Sequence, residues 1–251
     1  PVTVKRGYDN WLPSMNLVAE LTPSVLVRFG AAKVITRPGL GDLGPGGSLT
    51  LQASNRTFTP GNPFLNPTKA TNLDLSAEWY FAKGSLLALI LFQTNIASLR
   101  GTQVSQLVPF NQLGFPLNLA TDQGLAVDVP VTVTRLLNGE GGKLKGFELN
   151  YHHQLSFLPG LFKNMGVLAN YTYVKADLRY PGPGGIGTVV GPLTNLSKKT
   201  INGTLFYEDK LISLRGSVSY RSPYVERFGG AAREQSTEEG VNSSLNVDAS
   251  L

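Results

Sequence analysis

Few residues in this chain are arranged to do covalent or metal chemistry. Of 251 residues only two are His and none is Cys. Thiolate metal sites and disulfides are therefore absent. His152 and His153 are adjacent; on a strand, adjacent side chains point to opposite faces and cannot chelate one ion together. His153 is then expected near the end of the apolar face and His152 on the polar side. No His-Ser-acid spacing supports a hydrolase. Gly182-Pro183-Gly184-Gly185-Ile186-Gly187 has glycine spacing reminiscent of a phosphate loop, but it follows no buried strand and opens no helix, so it reads as a plain loop. The expectation is a non-enzyme without metal or cofactor. What remains is non-covalent contact, and its candidates are Asn72, Asp74, Glu78, Glu148, Asn202, Arg215 and Asp248. Each lies on the polar side of an alternating run.

Those runs are strands. In Thr71 to Phe81 the odd positions are Thr, Leu, Leu, Ala, Trp and Phe, and the even ones Asn, Asp, Ser, Glu and Tyr. A period of two gives one apolar and one polar face. Ala82-Lys83-Gly84 turns the chain, and Ser85 to Leu99 returns with Leu86, Ala88, Ile90, Phe92 and Ile96 on one side and Ser85, Gln93 and Asn95 on the other, the latter blurred by Leu87, Leu89 and Leu91. Comparable alternation begins at Trp11, Val25, Val131, Val167, Ile201, Ile212 and Leu245, which makes about nine strands. The run from Val131 to Ser156 contains Gly139 to Gly142, where a bulge is expected.

Composition agrees with a turn-rich, all-β chain, since Gly (28) and Pro (16) are plentiful and charged residues make up only 16%. No stretch approaches the roughly 18 apolar residues of a membrane helix, so any membrane crossing must use strands. The formal charge of +5 is spread without a basic run or helix, which argues against a nucleic-acid partner. Residues 1–7 lack the features of a signal peptide and run straight into a strand pattern.

Two regularities decide between solvents. Short turns alternate with longer loops of unequal length (about 37–69, 100–128, 180–192 and 226–244), so short turns share one sheet edge and long loops the other. That is the plan of an outer-membrane barrel. On the apolar faces as assigned here, only Lys33 and Lys175 are charged, both near the long-loop end. Trp79, Phe81, Phe157 and Tyr207 gather beside the short turns, as an interfacial girdle would. A soluble carbohydrate-binding sandwich, with the apolar faces turned inward, and a passive porin-like channel are the alternatives. Arg37, Arg56, Arg100, Lys143, Lys145, Arg179, Lys198, Lys199, Arg227 and Arg233 fall at or beyond the long-loop edge, where lipopolysaccharide phosphates would attract them.

Particular strings sharpen this. Gly61-Asn62-Pro63-Phe64-Leu65-Asn66-Pro67, then Ala70-Thr71-Asn72-Leu73-Asp74 and Glu78-Trp79-Tyr80-Phe81, resemble a segment of TonB-dependent outer-membrane receptors. Trp11-Leu12-Pro13-Ser14-Met15-Asn16-Leu17, Ile35-Thr36-Arg37-Pro38, Gly142 to Leu149, Asn170-Tyr171-Thr172-Tyr173-Val174 and Tyr220-Arg221-Ser222 are similar to further pieces of that barrel, in the same order and over nearly the whole chain. Thr68-Lys69 departs from the Glu of many siderophore receptors and looks more like the branch associated with carbohydrate uptake. The resemblance implies the later part of a plugged barrel of about 22 strands, with residues 1–251 a single partial-barrel unit lacking plug and TonB box. It implies TonB-dependent import of a scarce solute (siderophore, vitamin or oligosaccharide), with the TonB system acting through the plug. The polar-face candidates would contact solute or plug. An odd number of antiparallel strands leaves the first and last parallel, so a curved open sheet is expected, with edges near Trp11 and Val247.

Overall fold

The computed structural model describes residues 3–181, 187–227 and 239–251. Alternation becomes a ladder of strands, which are β1 (Ser14–Thr22), β2 (Val25–Thr36), β3 (Gly47–Leu51), β4 (Arg56–Pro60), β5 (Thr68–Ala82), β6 (Ser85–Pro109) and β7 (Pro130–Gln154). They continue with β8 (Met165–Pro181), β9 (Thr188–Gly191), β10 (Lys199–Glu208), β11 (Ser213–Arg221), β12 (Tyr224–Arg227), β13 (Glu239–Val241) and β14 (Ser244–Ser250). Nine of them form the wall, in the order β1-β2-β5-β6-β7-β8-β10-β11-β14, each antiparallel to its neighbours. The wall is open, with β1 and β14 at its edges. Trp11, exposed at 79%, lies just before the first edge strand, where the Lys33 ammonium sits 5.7 Å from its ring centroid.

Short connections at one edge are tight for local reasons. Thr22-Pro23-Ser24 closes β1–β2, with the Ser24 amide donating to Thr22 Oγ1 at 3.3 Å. Lys83-Gly84 closes β5–β6, and Gly84 takes a φ of 66°, a backbone region that favours glycine. Asp209 closes β10–β11: its Oδ1 accepts from the Leu211 and Ile212 amides (2.8 and 2.9 Å) and its Oδ2 from the Tyr207 hydroxyl (2.7 Å). This is the Asx turn that makes Asp a turn residue.

The long connections carry structure that periodicity does not reveal. Residues 37–69 contain the β3–β4 hairpin, and β6 runs on to Pro109 where a loop from Arg100 is expected. β7 passes through Gly139 to Gly142 without interruption; the bulge is on the facing strand, between Arg100 and Thr102. Strand β4 pairs in parallel with β7 through Thr57–Thr132 and Phe58–Val133. Together with a short helix, Asn118–Thr121, these tips enclose a core of their own: Phe110, Ala120 and Val131 are fully buried beneath Leu49, Phe58 and Phe115. Strand β9 folds back on β8 within residues read as loop, and β12, which starts just before the loop read from 226, pairs with β13 inside it. Propensity and alternation are weak signals for strands this short, whose partners lie far away in sequence.

The GNPFLNP string is a clasp between the loop after β4 and the distant strand β7. Asn62 donates from Nδ2 to the Leu136 carbonyl (2.9 Å), and its Oδ1 accepts from the Phe64 amide (2.9 Å). Asn138 accepts from the Asn66 amide at 2.7 Å and donates to its carbonyl at 2.9 Å. Leu65 and Pro67 are buried beneath it. A side chain on Gly61 would run into the Gly44 carbonyl, so the residue there must be glycine.

Candidate functional site

Register assigns every wall residue to a face, because directly paired residues point the same way. One face carries a polar row through Glu78, Asn150, Asn170, Asn202, Ser219 and Asn246, interrupted by Ala88. Asn170 Nδ2 donates to Asn150 Oδ1 (2.5 Å), and the Ser219 hydroxyl donates to Asn202 Oδ1 (2.8 Å). A second row, one step toward the long loops, holds Arg28, Ser76, Ile90, Glu148, Thr172, Thr200, Arg221 and Ser244. One step the other way, Thr204 and Ser217 hydrogen-bond at 2.9 Å beside Asp248.

All seven candidates therefore share this face, but they do not converge. Asn72 and Asp74 lie toward the long loops, Glu78 and Asn202 occupy one row on separate strands, and Arg215, opposite Phe206, lies toward the short turns. Glu78 is the most engaged: Arg28 Nε donates to its Oε1 at 2.8 Å and the Tyr80 hydroxyl to its Oε2 at 2.8 Å. Asp74 stands opposite Gly30, across which Asn16 also reaches. Asn72 Oδ1 is buried and has no hydrogen-bond partner among the described residues. Asn150, Asn170, Thr172, Thr204, Ser217 and Arg28 belong to the same surface and were absent from the candidate set. Their parity marks them as polar-face residues, but only the register puts them in rows.

One face assignment is corrected. Leu86, Ala88, Ile90 and Phe92 of β6 lie on the polar face, opposite His152, Asn150, Glu148 and Gly146, whereas Leu87, Leu89 and Leu91 continue the apolar face of β5. The cause is a one-residue slip in the hairpin: Ala82 pairs with Ser85 but Trp79 with Leu87, and a slip of one residue exchanges the faces. The polar face is also the more crowded. Ala88, Val174 and Ala176 are buried on it, while Leu73 and Leu91 on the other face are 38% and 46% exposed.

The apolar face has an unbroken belt through Leu17, Phe29, Leu75, Leu91, Phe147 and Tyr173. Toward the short turns it ends in aromatics: Trp79–Phe81, Phe81–His153 and His153–Phe157 have ring centroids 5.3, 5.0 and 5.4 Å apart. The Tyr151 hydroxyl and His153 Nδ1 hydrogen-bond at 2.6 Å. His152 is on the opposite face, between Leu86 and Leu168. Toward the long loops the same face carries more charge than Lys33 and Lys175, because register adds Lys143, Lys145 and Asp177. Arg179 pairs with Glu140 at 3.5 Å. Arg233 and residues 182–186 of the glycine-rich loop lie outside the described residues, as do the side chains of Arg100 and Arg227.

Antiparallel strands with one lipid-compatible and one polar face, aromatics at the short-turn end and charge at the long-loop end are the features of an outer-membrane wall. No helix among the described residues is long and apolar enough to cross a membrane, and this says nothing against crossing by strands. Solved structures share the fold. A variant of the ferric enterobactin receptor PfeA from Pseudomonas aeruginosa superposes with a TM-score of 0.64 at 18% identity, covering 94% of this chain and 31% of that one. The siderophore receptor PirA from Acinetobacter baumannii gives 0.61 at 16% identity, covering 95% and 34%. The chain thus spans about a third of the length of the receptors it matches. A comparison with functionally curated proteins finds no match. The family model described as "TonB dependent receptor-like, beta-barrel" matches residues 2–251, and with the wall geometry this establishes that the chain belongs to the β-barrel family of TonB-dependent receptors of the outer membrane.

Proposed function

We propose that this chain is a stretch of barrel wall in a receptor that imports a scarce solute across the outer membrane, energised by TonB acting on a plug held inside the barrel. The observation that carries the reading is the polar face. Its amide, hydroxyl and carboxylate rows run across β5 to β14, opposite a belt suited to hydrocarbon. Such rows suit hydrogen bonding to another polypeptide or to a hydroxyl-rich or chelating solute. Asn72, Asp74, Glu78, Glu148, Asn202, Arg215 and Asp248 are assigned to plug or solute contact, supported by their common place on the polar face. Siderophore, vitamin and oligosaccharide remain the solute classes, since likeness at 16–19% identity carries the fold alone. Contact with outer-leaflet lipid and lipopolysaccharide completes the set of partners.

Two measurements test this on the receptor that carries the chain. With single Cys at 73, 74 or 75 in vesicles, a lipid-soluble quencher should act on fluorophores at 73 and 75, while 74 reacts with aqueous reagents. Equal aqueous access at 74 and 75 would instead support a soluble binding protein. In cells, solute-dependent growth or accumulation should vanish when TonB is deleted. Uptake that persists would identify a passive channel.

A further inference from the structure

Among the described connections at the short-turn edge, that between β7 and β8 is the longest. It carries Leu155, Phe157, Leu158, Leu161 and Phe162, and a single turn of 3-10 helix, Gly160–Asn164, folds it back on itself. The Leu155 amide closes it by donating to the Met165 carbonyl at 2.9 Å. Leu161 and Phe162 nevertheless stay 71% and 62% exposed, and Phe157 is exposed beside them, so the ledge presents a contiguous apolar surface of the kind that marks an interaction site. Under it lies a cavity of about 460 Å³, lined by Pro159, Gly160, Leu161, Phe162, Met165 and Tyr207. Met165 and Tyr207 are direct cross-strand partners, and both stand on the apolar face, because an even number of positions separates Met165 from Tyr173 of the belt. Beyond that pair the face is lined by small groups. Successive rows hold Gly216 beside Leu205, then Gly203 beside Ala169, and a Cβ on Gly216 would meet nothing within 4 Å. The cavity thus stands at the foot of a trough along the belt.

We infer that the cavity and trough seat one anionic glycerophospholipid of the periplasmic leaflet. The inference rests on the outer-membrane reading of the wall, which puts the short turns on the periplasmic side, and adds a defined site to it. One acyl chain fills the cavity against Met165 and runs up past Gly203 and Gly216, while Leu161 and Phe162 enter the same leaflet beside it. The headgroup then falls at the rim. Two cations are placed there: Lys163 follows Phe162 in the ledge, and Lys210 lies in the β10–β11 turn just beyond Tyr207. Among the described residues neither is in an ion pair. The neighbouring acid Asp209 is already engaged by the Tyr207 hydroxyl and by the Leu211 and Ile212 amides, and Glu208 has the parity of the opposite face. Lysine stems lie along apolar surface and carry their ammonium groups to the interface, where each donates a charge-assisted bond to a phosphodiester oxygen. A zwitterionic headgroup would bring a third cation to two lysines, so a net negative headgroup is selected.

The test uses the receptor that carries this chain, delipidated in detergent and followed by native mass spectrometry. The probes are phosphatidylglycerol, phosphatidylethanolamine, diacylglycerol and glycerol phosphate. Phosphatidylglycerol should bind at least about tenfold more tightly than the other three, and the double variant K163Q/K210Q should weaken it by a similar factor, a loss of charge-assisted contacts. The arginine pair K163R/K210R should retain it, and K83Q at the β5–β6 turn should change nothing. Gly216→Leu should weaken binding as much by filling the trough, and with open space at that position its urea midpoint should match wild type. Equal binding of phosphatidylethanolamine or diacylglycerol, or unchanged binding in K163Q/K210Q or Gly216→Leu, would overturn the inference. Glycerol phosphate competing as well as the intact lipid would leave an anion site with no seat for an acyl chain, and a receptor dimer that Leu161→Asp disrupts without loss of lipid would make the ledge a contact between copies; either result overturns it. Quenching at 73 and 75 with no phosphatidylglycerol binding would defeat this inference alone, whereas absence of quenching would defeat the wall reading itself.

Discussion

At the level of single residues, neighbours one position apart meet different solvents. Leu75 lies in the apolar belt, paired with Phe29 and Leu91, and Asp74 on the polar face, paired with Gly30 and Phe92. In the receptor folded in vesicles, Leu75→Arg should lower unfolding stability by about 2–4 kcal/mol, the cost of a guanidinium near the bilayer midplane. Asp74→Asn should cost far less, because it keeps a hydrogen-bonding group on the polar side. A smaller loss for Leu75→Arg than for Asp74→Asn in urea titration would contradict the face assignment. A pH effect belongs to the Asp209 turn, where the Tyr207 hydroxyl first, then the Leu211 and Ile212 amides, hold the carboxyl below the usual carboxylate range. A depressed folded pKa means that the unfolded chain binds the proton first, so the stabilisation is complete above the ordinary value of about 3.9 and disappears as pH falls through the folded value. Wild type should therefore be more stable than Asp209→Asn at neutral pH, with the gap narrowing only below pH about 4; a gap independent of acid would rule this out. The polar parity of all seven candidates was legible in the sequence. Their partners were not: Arg28 and Glu78 are 50 positions apart, a separation at which alternation says nothing.

Strands that span the wall were legible because each buries or exposes a long alternating face, and the short turns because Gly84, Pro23 and Asp209 have chemistry specific to turns. The facing of β6 was misread because Leu86 to Phe92 is apolar at nearly every position, leaving parity to be set by the hairpin slip between Trp79 and Ala82. The elements above the wall escaped for a different reason. Strands β3, β4, β9 and β12 are four or five residues long, and what holds them is contact with distant segments. The clasp shows how. Asn62 and Asn138 supply side-chain bonds to backbone groups 72 to 74 positions away, each such bond contributing about 1 kcal/mol net. In Asn62→Ala or Asn138→Ala the carbonyl of Leu136 or Asn66 loses its donor, and the loop from 37 to 67 should open locally without unfolding the wall. Limited proteolysis of the receptor should then cut within that loop several times faster than in wild type, while the barrel fragment persists. Unchanged cleavage in both variants would mean that the Phe110 core holds the loop without the clasp.

Across the whole molecule the decisive feature is the direction of the two edges. Eight antiparallel pairings join the nine wall strands, so β1 and β14 run the same way. Closing the sheet on itself would require a parallel seam in an otherwise antiparallel wall, whereas bacterial single-chain barrels have even strand counts. Both edges also present unpaired N–H and C=O groups, which in hydrocarbon cost several kcal/mol each and call for another strand. Leu17 on one edge strand is 56% exposed and Val247 on the other 75%, so a cysteine at either position is accessible. The 251-residue chain, refolded by itself in detergent, should therefore satisfy its edges between molecules. With Leu17→Cys and Val247→Cys combined, oxidation should give disulfide-linked dimers and larger species whose yield rises with protein concentration. A concentration-independent monomer with an internal 17–247 disulfide would show that the nine strands close into a small barrel, and would overturn the open-wall description.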